Sequence, residues 1–516
     1  MLKNLLIVGG GTAGWLTAAL LSKLLATGRG GVAITLVESP EIATVGVGEG
    51  TFPSIRGTLA SIGLSEADFL RGSHGAFKQG IHSADWVRAP GTPGMPSYFH
   101  PFSLPSQRGS LELLPYWLLG AAGDVPFAEA VTLQKTLTDA RRGPKRIADG
   151  DYEGAMNYAY HFDAACFAQV LAAHARRAGV EHVLATVERV ELGEDGHIAA
   201  VHTRERGALR ADLYVDCTGF RAALIGEALG TRFQGMNGVL FNDRALAMQV
   251  PYARPDAPIA SYTIASAQEC GWIWDIGLQQ RRGVGYVYSS RYCDDACAEA
   301  VLRRYVGAAG DGLPVQPIRL RVGYRETPWF RNCVAVGLAG GFVEPLESSG
   351  IGLIETAAYL IGHLFPHGGE LAATARLFNR LMVGRYRRIF DFIKLHYCLT
   401  QRRDTPFWID NADPRSVPDA LREKLAMWRT RPPHRLDFVT DLEMYLPASW
   451  QYVLYGMEFR TDLAARRSSY PRYDEAQREF RMIREVARHA LSDLPDHRAL
   501  VERLCTGVAP QLARGT

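Results

Sequence analysis

Gly9, Gly11 and Gly14 form a GxGxxG pattern in "GGGTAGW" (9 to 15), directly after the apolar run Leu5 to Val8 and at the start of a helix-periodic segment, Thr12 to Leu25. Strand before and helix after are the context in which this pattern binds phosphate. Gly9 would make the tight turn, Gly11 would let the backbone approach a pyrophosphate, and Gly14 would let helix and strand pack closely. Thr12 and Ala13 would then lie in the first helical turn, where free N–H groups and the helix dipole favour an anion. A second strand-like run, "VAITLVES" (32 to 39), carries Glu38 at its end, where a carboxylate can accept hydrogen bonds from an adenosine ribose. The order predicts a βαβ dinucleotide site, and on these residues FAD and NAD both stay open.

Two more stretches bear on chemistry. "VGLAGGFVEPLESSGIGLIETA" (336 to 357) reads as a strand, a glycine-rich turn, a proline, then Ser-Ser-Gly opening a helix. Such a helix start could face the N1 and C2 carbonyl edge of an isoalloxazine, where a reduced flavin carries its negative charge. Together with "VDCTGFRAALIG" (215 to 226) and the N-terminal unit, it resembles the FAD-binding framework of flavoprotein monooxygenases. "CGWIWDIGL" (270 to 278) puts Trp272 and Trp274 on one face of a period-two strand. Alone, that pair reads as core aromatics.

The elements that must position these residues come from a chain of 516 residues, 47% hydrophobic and 22% charged, with room for two or three domains and a large core. Its 57 basic and 54 acidic residues leave a net charge of +3. Nothing in that balance attracts nucleic acid or an anionic membrane, so a small molecule is the expected partner. "GRYRRIF" (384 to 390) and "RTRPPHR" (429 to 435) read as solvated faces and loops. The eight cysteines show no CxxC and no zinc spacing, which suggests reduced thiols in a cytoplasmic protein and no metal site. Glycines interrupt the apolar N-terminus, and no apolar run reaches about 20 residues, which argues against secretion and membrane insertion. Residues 80 to 150, rich in Gly, Pro and aromatics, predict loops and irregular connections. After about 355 long helical periods take over, as in 371 to 399 and 474 to 493. The expected fold is α/β: a Rossmann-like FAD-binding domain with an interleaved β-rich substrate portion over 1–355, and a helical subdomain over 356–516 that closes the substrate site.

The motifs "GGGTAGW", "VGVGEGTFPSI" (45 to 55), "FKQGI" (77 to 81), "YFHPF" (98 to 102), "VDCTGFR" (215 to 221), "WIWDIG" (272 to 277) and "PLESSGIGL" (345 to 353) together resemble the flavin-dependent halogenases of the tryptophan halogenase type over most of the chain. The resemblance implies that reduced FAD from a separate NAD(P)H-dependent flavin reductase reacts with O2, that a chloride or bromide is oxidised to hypohalous acid, and that this oxidant crosses an internal tunnel to an aromatic substrate. By motif position the lysine that meets it is Lys78, which polarises the oxidant or forms a haloamine, and the carboxylate is Glu347, which stabilises the cationic ring intermediate or helps remove its proton. Ser349 and Gly350 would hold the halide through backbone N–H groups, and Gly350 and Ile351 would border the flavin. His100 and Phe102 would line the substrate pocket, without a catalytic step of their own. Trp272 and Trp274 would be a wall of the flavin compartment that keeps the organic substrate out, although Gly277 stands where the family motif has proline. The resemblance also leaves room for a homodimer.

Two rival readings share the flavin frame. A single-component aromatic hydroxylase commonly carries an Asp in a GDAAH-like turn, whereas this chain reads "GLAGG" (337 to 341). A flavin-binding redox sensor without turnover is disfavoured by Lys78 and Glu347 standing together in their motifs. Tryptophan-specific members hold the amino acid's charged end with a tyrosine pair in the late helical region. The stretch "ASWQYVLYGMEF" (448 to 459) has Trp450, Gln451 and Tyr452 instead, so free indole or an uncharged indole derivative is expected over free tryptophan.

Overall fold

The computed structural model describes residues 1–41, 48–107, 111–438 and 443–506. Part of the "VGVGEGTFPSI" motif, residues 45–47, therefore lies outside the described residues. The N-terminal unit is β1 (Asn4–Val8), α1 (Thr12–Leu24) and β2 (Ala33–Glu38). β1 and β2 are parallel neighbours in a six-stranded sheet that continues through Leu213–Asp216 and Cys333–Ala335 on one side and Glu181–Leu184 on the other. Leu5 to Val8 are all apolar because both faces of this sheet are covered. α1 packs against the helix Ala164–Arg177 and against α2 (Ser349–His363), so its small residues Gly14, Ala18 and Ala19 are buried on nearly every side.

Four short strands follow: β3 (Gly48–Gly50), β4 (Ala76–Lys78), β5 (Gly80–Ala84) and β6 (Tyr98–Pro101). β3 and β4 flank β7 (Ala159–Asp163) in a small sheet. β5 and β6 close one edge of a seven-stranded sheet whose middle is β8 (Gly271–Gly277). Lys78 thus ends a strand of one sheet, and Gly80 begins a strand of the other. Gln79 pins the crossing through its Nε2, which donates to Ser261 Oγ and to the carbonyl of Arg142.

Residues 80 to 150 differ from the loop-rich expectation. Besides β5 and β6 they contain the helices Leu113–Leu118, Phe127–Val131 and Gln134–Asp139. Sheet pairing across the chain overrides the local composition here, because β5 finds its partner in the distant strand Thr263–Gln268. The helical region matches its periods: α3 spans Leu371–Leu399 and a later helix Tyr473–Asp493. α2 runs through 355–356, the point at which the sequence changes character. Among the described residues no helix is long and apolar enough to cross a membrane.

Candidate active site

The glycine loop has the shape a dinucleotide needs. Gly9 takes φ +114°, and a side chain there would meet the carbonyl of Cys217 at 2.3 Å. A Cβ on Gly14 would lie 1.8 Å from the carbonyl oxygen of Gly9, so helix and turn touch only because Gly14 has no side chain. At Gly11 a Cβ would meet nothing within 4 Å, which leaves open space beside the uncapped start of α1. Glu38 lies against Gly10, and its Oε1 bonds His182 Nε2 at 2.7 Å. The second glycine turn packs on the same helix, since a Cβ on Gly337 would approach Ala13 to 2.8 Å. Thr12 Oγ1 is turned away from the loop toward the carbonyl of Ala164. An open cradle at a helix start, with a carboxylate at the end of β2, fits the diphosphate and ribose of FAD.

Some distance along the chain, Lys78 meets the turn that carries Glu347. The helix α2 is preceded by a short turn, Pro345–Glu347, and Ser348 joins the two in the left-handed region (φ 57°, ψ 38°). For a residue with a Cβ this costs roughly 1–2 kcal/mol. The turn points the Ser348 hydroxyl at Lys78, whose Nζ donates to Ser348 Oγ at 2.6 Å. Gly50 of β3 lies against the pair: a Cβ there would sit 3.0 Å from Ser348 Oγ and 3.2 Å from Lys78 Nζ. Lys78 is fully buried. Burial pushes its ammonium down, partly offset by the negative charge of Glu347, to about 7.

Glu347 is buried between two imidazoles. Its Oε2 bonds His100 Nδ1 at 2.8 Å, its Oε1 bonds His396 Nε2 at 3.0 Å, and its backbone carbonyl accepts from Tyr445 OH. Burial alone would raise this carboxyl, but His100 and His396 outweigh it and hold the acid at about 2. The other nitrogen of His100, Nε2, is buried without a protein partner. Around the carboxylate stand aromatic rings: Phe102 lies 5.2 Å from Lys78 Nζ and 5.1 Å from Phe52, Phe52 lies 5.6 Å from Tyr445, and Tyr445 stacks on Phe392 at 4.0 Å. Flat rings, an ammonium and an ionised carboxylate are the surroundings an indole ring and a developing ring cation require.

Ser349 and Gly350 open α2, as expected. Ser349 is buried, a Cβ on Gly350 would meet nothing within 4 Å, and Ile351 is buried. Trp272 and Trp274 lie side by side on β8, ring centroids 6.4 Å apart. Small residues across the sheet make room for them: Trp274 faces Ala265 and Gly285, and a Cβ on Gly285 would come within 2.1 Å of the Trp274 ring. Trp450 and Tyr452 are both buried, and Tyr452 lies 5.9 Å from the His100 ring.

Sequence reasoning missed Ser348, Phe52, His396, Phe392 and Tyr445. Ser348 and Phe52 stood inside motifs already singled out, whereas the other three belong to the helical region and carry no local signal.

Comparison with known proteins places the chain as a whole. A family model described as tryptophan halogenase matches residues 4–469. Tryptophan 6-halogenase SttH from Streptomyces toxytricini is 35% identical over 512 residues, covering 95% of this chain and 96% of its own. The crystal structure of a tryptophan halogenase from Shewanella frigidimarina superposes with a TM-score of 0.93 at 41% identity, covering 99% of both chains. BrvH, a flavin-dependent halogenase from Brevundimonas sp., superposes with a TM-score of 0.87 at 34% identity, covering 98% of this chain and 99% of its own.

Proposed function

The chain belongs to the flavin-dependent tryptophan halogenase family, and from that premise we propose that it halogenates free indole or an uncharged indole derivative in preference to free tryptophan, with Lys78 and Glu347 as its catalytic residues. When bound, reduced FAD supplies the electrons with which O2 and a halide yield hypohalous acid. The open cradle at Gly9, Gly11 and Gly14 holds its diphosphate, with Glu38 at the ribose and Gly350 and Ile351 along the flavin. The start of α2 at Ser349 and Gly350 offers the halide N–H groups and a favourable dipole. Trp272 and Trp274 exclude the organic substrate from the flavin side. A separate flavin reductase delivers the reduced cofactor.

One observation carries the reading: two buried groups of opposite charge, separated in sequence by about half of the chain, converge among aromatic rings through the Ser348 link. At a pKa of about 7, Lys78 can hold its proton and donate it to the oxidant's oxygen, or give it up and act as an amine. Ser348 fixes where that nitrogen points. Glu347 stays ionised, so it can stabilise the cationic ring and accept its proton. His100 and Phe102 face the ring, and His100 keeps the carboxylate ionised and aimed. The preference for an uncharged indole rests on Trp450, Gln451 and Tyr452 standing where a tyrosine pair would hold a zwitterion.

The test supplies FAD, NADH and a flavin reductase, with chloride or bromide and a panel containing indole and tryptophan, and reads products by isotope pattern. Halogenated indole forming faster than halogenated tryptophan, and only with the reductase, is the expected result. Faster turnover of tryptophan at equal concentration overturns the substrate assignment, and hydroxylated product without a reductase overturns the activity.

A further inference from the structure

Glu344, three residues before Glu347, lies in a second buried polar cluster that the halogenation scheme leaves without a task. Its Oε2 accepts hydrogen bonds from Asn242 Nδ2 at 2.7 Å, Tyr397 OH at 3.0 Å and Trp272 Nε1 at 3.2 Å. Asn242 Nδ2 also donates to the Tyr397 oxygen at 2.9 Å. Glu344 is fully buried, and its Oε1 has no protein partner. Burying a carboxylate against neutral donors is a costly way to gain stability. The donors come from three elements: the segment before the strand Arg244–Pro251, β8 and α3. Tyr397 directly follows His396, which bonds Glu347. One turn of α3 therefore grips both acids of "EPLE" (344 to 347), and Trp272 is bonded to the first of them.

We propose that Glu344 is a positioning residue: its carboxylate locks the tryptophan wall and the Glu347 turn in one register, so that oxidant formed on one side of the wall reaches the substrate on the other. The inference rests on the halogenase reading of Trp272 and Glu347. Without the carboxylate, the indole N–H of Trp272 loses its acceptor in a buried site, and wall and turn become free to shift independently.

The assay is a single turnover: pre-reduced FAD and enzyme are mixed with O2, halide and indole, and halogenated product and the hypohalous acid that escapes to a halogen-accepting trap in solution are measured per flavin oxidised. Glu344→Ala is expected to lower the product yield by about tenfold, with escaped hypohalous acid making up the difference, and Glu344→Gln, which keeps an acceptor, to stay within about threefold of wild type. Trp272→Phe, which removes the N–H, should lower the yield, and should add little to Glu344→Ala. An unchanged yield in Glu344→Ala, a yield in Glu344→Gln as low as in Glu344→Ala, or fully additive losses would overturn the proposal. Should Glu344→Ala fail to fold, Glu344→Met, which also removes the acceptor but keeps the volume, takes its place in the additivity test with Trp272→Phe. A second readout stands apart from activity. In protein labelled with 15N-tryptophan, the Trp272 indole N–H signal, identified by its loss in Trp272→Phe, should exchange slowly and move in Glu344→Gln. An unmoved signal overturns the clamp, whereas a moved signal in a protein that makes no halogenated product overturns the halogenase reading and leaves the clamp standing.

Discussion

Replacing Lys78 by methionine should abolish halogenation and make the protein more stable. The lysine is fully buried, and its pKa falls from 10.5 in the unfolded chain to about 7. At about 1.4 kcal/mol per pKa unit, that difference is a cost of roughly 5 kcal/mol at or below pH 7. Methionine keeps the length of the stem and removes the charge. Against the gain stands the lost hydrogen bond to Ser348, about 1–2 kcal/mol; the attraction to Glu347 is already contained in the lowered pKa. A net stabilisation of about 3 kcal/mol at pH 7 follows. The sign with pH is fixed. Between pH 7 and 10.5 the unfolded chain binds the lysine proton and the folded chain does not, so wild-type stability rises with pH and the advantage of Lys78→Met shrinks. Urea unfolding at pH 7 and pH 9.5 reads both values. A variant less stable than wild type at pH 7, or an advantage that grows with pH, would refute the reasoning.

Three further variants can be checked. His100→Leu removes one of the two groups that keep Glu347 ionised, so its carboxyl rises and the acid limb of kcat/KM moves to higher pH; an unmoved limb would separate Glu347 from the pH profile. The same carboxylate gives wild type stability that is full above pH 4.5 and lost as pH falls toward 2, and acid unfolding of His100→Leu should begin at higher pH. Gly11→Val places a side chain where nothing lies within 4 Å, so the melting temperature should hold within a few degrees while FAD affinity falls at least about tenfold; equal losses in both would deny that the space belongs to the cofactor. Gly285→Ala drives a methyl into the Trp274 ring and should cost about 1–3 kcal/mol in chemical unfolding, with more peroxide released per flavin oxidised if the wall moves.

Local signals carried the reading of the N-terminal unit. In β1, the glycine turn, α1 and β2, the residues that make the site are neighbours in sequence, and the structure places them as their spacing predicts. The long periods of 371 to 399 and 474 to 493 were legible for the same reason. Lys78 was not, since nothing in "FKQGI" distinguishes it from a solvated lysine, and only the family resemblance singled it out. His396 and Tyr445 reach Glu347 from 49 and 98 residues away, so their role follows from tertiary packing alone. Residues 80 to 150 misled through composition: β5 pairs with a strand some 180 residues later, a partner that no local window contains.

The central claim, that Lys78 delivers the oxidant to the substrate and takes no part in making it, has one direct measurement. Reduced FAD and enzyme are mixed rapidly with O2, bromide and indole, flavin oxidation is followed by absorbance, and the quenched mixture is analysed by mass. Wild type should yield bromoindole with the paired isotope pattern, while Lys78→Met should oxidise its flavin at a similar rate and yield none. Bromoindole from Lys78→Met in wild-type amount would contradict the account.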